Sequence, residues 1–199
     1  MTGASTSSAT PCSSRAMTDT TDGSADIEAD VWVWMREFVA VKNEFYNAKF
    51  PPCPFAQKAL LQQTVDVAVW QSGDVRAFIR AYAEGMRDTP KLTTRVMVFP
   101  PRVQHAWGVS DFVESLNREL IADNIFLNTG VTKSTVSRYP GSLGNPYFIV
   151  VANSLDAVLL GSESLQRTDY YADWPKTHYE IVVERRAKMA ARFGAKENG

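Results

Sequence analysis

Cys53 stands in the segment FPPCPFAQKAL, residues 50–60. Its three prolines each hold φ at about −65° and push the residues before them toward extended backbone, so the sulfur is carried on a stiff connector. From Phe55 onward the proline density ends and AQKALL favours a helix. The thiol is therefore expected just ahead of a helix start, where free N–H groups and the positive end of the dipole favour a thiolate. Such a sulfur can act as a nucleophile or an iron ligand. A free cysteine wedged among prolines also serves as a small core hydrophobe.

Two histidines complete the short supply of groups that titrate near neutrality. His105, in RVQHAW, is expected in a loop, facing either a pocket or water. His178 opens the last expected helix, one turn before Ile181 and Val182, so its imidazole would project inward from rigid backbone; the alternative is a hydrogen-bonded, half-buried histidine. A two-His-one-carboxylate iron site would need both histidines and an acid to converge. The polar stretch 128–146, NTGVTKSTVSRYPGSLGNP, is long for a connection and carries Lys133 and Arg138. Either could clamp a carboxylate or a cofactor propionate, or be solvated. Its three glycines lack dinucleotide or Walker spacing, and no G-x-S-x-G segment supplies a serine nucleophile.

These residues must be positioned by a mixed set of elements. Val31, Trp34, Met35, Phe38, Val41 and Phe45 recur at helical spacing and predict a helix over 26–46. The alternation in TVDVAVW, 64–70, predicts a half-buried strand. Asp74 caps a second helix bearing Val75, Phe78, Ile79, Tyr82 and Met86, followed by a strand at 92–99. Asp111 and Glu114 read as a capping arrangement opening a third helix. Segments 147–152, YFIVVA, and 157–160, AVLL, predict a further strand pair, and a last helix spans 175–193. The expected fold is a single α+β domain over 26–199, a small mainly antiparallel sheet covered by helices. Residues 1–25, rich in Ser, Thr, Gly and Ala, are expected to form a disordered tail, and Met17 is a candidate start.

The 199 residues are 45% apolar and 22% charged, a balance able to bury one core. A net charge of −1, with Lys and Arg dispersed, disfavours nucleic acid and anionic membrane as partners. No apolar run approaches the roughly 18 residues a membrane helix needs, no basic-then-apolar leader opens the chain, and two cysteines make no disulfide framework. A cytoplasmic location is expected.

FPPCPFAQKAL, then TTRVMVFP at 93–100, YFIVVANS at 147–154 and THYE at 177–180 before a terminal helix together resemble the YqcI/YcgG-type heme-dependent N-oxygenases over about residues 45–190. The resemblance implies O2-dependent oxidation of an amino or guanidino-type nitrogen on heme b, with a cyclic guanidine such as 2-aminoimidazole as one substrate type. It implies one axial ligand, with His178 preferred over Cys53; Arg138 or Arg167 at a heme propionate; Asp66 or Glu180 orienting the substrate; and His105 in the distal pocket beside a catalytic Cys53. The implied partners are a small nitrogenous substrate, O2 and an external electron donor, with a homodimer as the candidate oligomer. Two other classes stand beside it: a non-enzymatic small-molecule binding or scaffold domain with Cys53 structural, and a thiol enzyme using Cys53.

Overall fold

The alternation of Val65, Val67 and Val69 with Asp66 and Ala68 builds β1 (Val65–Val69), which pairs in parallel with β2 (Thr94–Phe99) in the register Val65 to Thr94. In the computed structural model, which describes residues 23–42, 48–100, 108–129 and 147–194, β2 continues antiparallel to β4 (Phe148–Ser154). β4 is in turn antiparallel to β3 (Ile125–Thr129), giving the order β1-β2-β4-β3. Two of the three ladders are antiparallel, so the domain is the expected α+β arrangement with a small, mainly antiparallel sheet. The parallel pair requires a crossover, and α3 (Val75–Glu84) supplies it, with Asp74 accepting a 2.7 Å hydrogen bond from the Ala77 N–H as its cap.

Because successive side chains leave a strand on opposite faces, the sheet has two distinct apolar surfaces. Met97, Phe99, Leu127 and Val150 face α3 and α4 (Val109–Leu120), where Ile79, Val113, Leu116 and Leu120 close the larger core. Val67, Val96, Val98 and Ile149 face the other way, toward α1 (Ser24–Trp34) and its π-helical continuation Met35–Val39. Alongside α1 on this second layer lie α2 (Ala56–Leu61) and α5 (Leu155–Gln166). The last helix also contributes there: α6 (Lys176–Tyr179) passes through a π turn, Glu180–Glu184, into α7 (Arg185–Phe193).

Four expectations are corrected. The first helix stops at Val39 with Ala40 as its cap, well before residue 46; the Val39 carbonyl is taken by the Cys53 N–H at 3.0 Å, and residues 43–47 lie outside the described residues. Asp111 sits in the first turn of α4 and does not cap it, because Gly108, in the left-handed region at φ 79°, starts the helix. Residues 157–160 belong to α5 and form no strand. Leu155, Ser162 and Leu165 bury one helical face, and Asn124 receives the chain, its carbonyl accepting from Leu155 N–H at 2.9 Å and its Oδ1 from Asp156 N–H at 2.8 Å. β3 is an additional strand that the sequence reading left out. Its outer edge is clamped by the fully buried Asn117, whose Nδ2 donates to the Leu127 carbonyl (3.0 Å) and whose Oδ1 accepts from the Leu127 N–H (2.7 Å). The expected tail falls almost wholly outside the described residues. Among the described residues no helix is long and apolar enough to cross a membrane.

Candidate functional site

On the second face of the sheet the layer does not close. A half-enclosed, largely apolar cavity of about 420 Å³ lies between Val65, Val96, Ile149 and Val151 below and the helices above. The connector FPPCPF forms one wall and is pinned at four points. Phe50 meets the ring of Tyr170 edge-on at 5.5 Å, and Tyr170 Oη donates to the Pro52 carbonyl at 2.5 Å. The Cys53 N–H holds the end of the first helix. The Phe55 ring lies on α5 at Gly161, where a Cβ would stand 2.9 Å from its Cε2, so only glycine permits this approach without a shift. The stiff connector predicted from its prolines thus becomes a fixed wall.

Cys53 lines the cavity as a half-buried free thiol. Hydrogen bonds from the Phe55 and Ala56 backbone stabilise its anion, as a helix start should, but burial is the larger influence and pushes the thiol up. The expected poised thiolate is corrected to a protonated thiol, because desolvation outweighs two N–H donors.

At the α5 and α7 side the apolar lining is interrupted by three polar groups. Arg186, only 5% exposed, borders the cavity and donates through Nη2 to Ser162 Oγ at 2.7 Å, while Ser162 Oγ donates to the Val158 carbonyl at 2.9 Å. The Tyr171 hydroxyl completes the group: burial pushes it up, while its hydrogen bond with Ser162 and the nearby Arg186 charge pull it down. Arg186 Nε has no hydrogen-bond partner, and no carboxylate among the described residues stands within ion-pair distance of its guanidinium. Burial pulls the Arg186 pKa down, yet a guanidinium remains protonated in proteins. Its Cζ lies 6.0 Å from the Phe126 ring centroid, a cation–π contact that does not neutralise it. Trp34 Nε1 is a second buried donor without a partner on the cavity wall.

Apart from Cys53, the described residues among those proposed from sequence do not line this cavity. His178 is exposed and lies against the Trp174 ring at 4.5 Å, outside the cavity, with its pKa drawn down by desolvation. The inward projection expected of it is not observed: Val182, one turn later, lines the cavity, and His178 does not. Asp66 is on the opposite face of the sheet, accepting from Tyr82 Oη at 2.7 Å and paired with Arg95 Nε at 3.5 Å, so it is committed to the fold. Glu180 pairs with Lys176 at 3.8 Å, and Arg167 is exposed at the end of α5, away from the cavity. His105, Lys133 and Arg138 lie outside the described residues. Of the described members of the set named for a heme, Cys53 alone lines the cavity. Among the described residues no group of three or more His, Cys, Asp and Glu could hold a metal ion.

Sequence reasoning missed Arg186, Ser162, Tyr171 and Trp174 as cavity residues. A signal for Arg186 existed: Val182, Arg186, Met189 and Phe193 share one helical stripe, which places a cation in an otherwise apolar row. Comparison with known proteins adds nothing to this geometry: no family model, no curated protein and no solved structure matches the chain.

Proposed function

We propose that this chain is a small-molecule-binding α+β domain whose ligand is mostly apolar and occupies the cavity between the sheet and the second helical layer. The observation that carries the reading is the cavity itself. A volume of about 420 Å³ with apolar walls and a few convergent polar groups falls in the range of ligand sites, about 300–1,000 Å³. Interiors are otherwise close-packed, so an opening of this size is not the ordinary result of folding. Both π turns of the described residues border it, through Met35 and Val39 in one and Val182 in the other, and such turns concentrate at functional sites.

Ala157, exposed yet bordering the cavity, stands at its rim. Ala157→Trp is expected to block entry without disturbing the buried layers. The fluorescence of anilinonaphthalene sulfonate should rise on wild type and fail to rise on the variant, with unchanged melting. Equal signals from both proteins would refute the cavity as the binding site.

The position of Cys53 favours a second reading, a heme b in this cavity held by the Cys53 thiolate. The group would supply the O2-dependent nitrogen oxidation that the sequence resemblance implies, while Cys53 would hold it and Arg186 would face a carboxylate on its edge. A Soret band in protein produced with iron, lost in Cys53→Ser and kept in His178→Ala, is the expected result. A colourless protein after reconstitution refutes this reading and leaves the first intact.

A further inference from the structure

We propose that the cavity selects ligands that carry a carboxylate at the end of an apolar body, and that Arg186, with Ser162 and Tyr171, is the receptor for that carboxylate. The inference rests on the reading of the cavity as a ligand site and names the chemistry of its occupant. A guanidinium removed from water loses solvation that only an anion in good geometry restores, and buried charges in proteins are ordinarily paired. Arg186 is buried, borders the cavity, and among the described residues has one neutral hydroxyl partner and no acid. Its Nε is left without an acceptor. The unmet demand is for an anionic acceptor, and the cavity that the guanidinium borders has room to hold one. Arginine suits a carboxylate in particular, because its planar fork offers two parallel donors. Ser162 and Tyr171 bring hydroxyls to the same end of the cavity. The remaining walls, from the valines of the sheet to Leu60 and Leu165, are mostly apolar, with Thr93, Thr94, Asn128 and Asn153 at the sheet and the Cys53 thiol and Trp34 Nε1 as uncharged exceptions. One charge at one end and a mainly apolar, otherwise uncharged lining is the complement of an amphipathic monocarboxylate.

The test compares decanoate, decanol and decylammonium by calorimetry on the full chain, with quenching of tryptophan fluorescence as a second readout, since Trp34 and Trp174 line the cavity. A charge-assisted hydrogen bond is worth about 1.5–3 kcal/mol, so decanoate should bind roughly ten- to a hundredfold more tightly than decanol, and decylammonium least. In Arg186→Gln the preference for decanoate over decanol should vanish while decanol binding persists. Equal affinity of decanoate and decanol for wild type, a comparison that needs no variant, overturns the carboxylate assignment and leaves the cavity reading standing. A preference for decanoate that survives in Arg186→Gln overturns the role of Arg186. Failure of all three probes to bind wild type overturns the cavity reading and the inference together.

Discussion

Arg186→Met should make the ligand-free protein more stable. The variant keeps an unbranched side chain of similar reach in a site with 5% exposure and removes the only charge there. The effective cost of burying an ion is several kcal/mol after relaxation. Against it stand a charge-assisted bond to Ser162 at 2.7 Å, about 1.5–3 kcal/mol, and the contact with Phe126 at 6.0 Å, about 0.5–2 kcal/mol. Ser162 keeps its bond to the Val158 carbonyl, so the substitution strands no donor there. These offsets together reach about 2–5 kcal/mol, so the balance leaves the variant ahead by up to about 3 kcal/mol. For a chain of this size each kcal/mol moves Tm by about 2–4 °C, so differential scanning calorimetry without ligand should show a rise of about 4–8 °C for a gain of about 2 kcal/mol. With decanoate at about a hundred times its Kd, wild type gains about 2.7 kcal/mol by mass action and should draw level with the variant, which gains much less. A variant that melts below wild type without ligand would refute the reasoning, because it would mean that the chain itself already compensates the guanidinium.

Cys53, in a Cys12→Ser background, should alkylate slowly at pH 7 and faster as pH rises, more slowly at each pH than in the denatured chain; fast reaction at pH 7 would restore the thiolate reading. The same shift makes a stability claim: the folded state favours the thiol, so its contribution is complete below the unfolded pKa and is lost as pH climbs through the raised folded value. Asn117→Leu keeps the volume but strands the Leu127 N–H and carbonyl, at about 1–3 kcal/mol each, so urea denaturation should show a loss of about 2–5 kcal/mol with an unchanged m value. Gly161→Ala gains about 1 kcal/mol of helix propensity but drives a Cβ to 2.9 Å from a Phe55 ring that is 41% exposed and free to swing out. Stability should therefore stay within about 1 kcal/mol of wild type while decanoate dissociates faster; a loss above about 2 kcal/mol would show the ring to be locked.

The patterns that depend on local periodicity were legible in the chain. Val65 to Val69 read as a half-buried strand, Asp74 as a cap, the residues after Phe55 as a short helix and 175–193 as a helix, because each signal needs only a few neighbouring residues. Where four apolar residues in a row suit either state, as at 157–160, the outcome was set by Asn124, 32 residues earlier than the Asp156 N–H it caps. β3 was hidden for the same reason: IFLNT is short, and the Asn117 clamp that holds its edge is a contact on the far side of a turn.

What the sequence by itself determined is the α+β composition, the strand faces and the rigidity of the FPPCPF connector, since propensity, alternation and proline stereochemistry act through the backbone nearby. What only the tertiary structure decided is which groups meet. Asp66 and Cys53, both singled out as chemistry-bearing, were sent to opposite faces of one sheet by strand alternation combined with the packing of α3 on one side and the connector on the other. His178, one turn before the cavity-lining Val182, was left exposed against the Trp174 ring. Arg186, which looks like one more cation in a basic run, became the one buried charge on the cavity wall because the π turn and α7 lay the stripe of Val182 and Met189 inward and carry the arginine with it. Burial, and with it the unmet electrostatic demand, is a property of the assembled layers, and no stretch of the chain holds it alone.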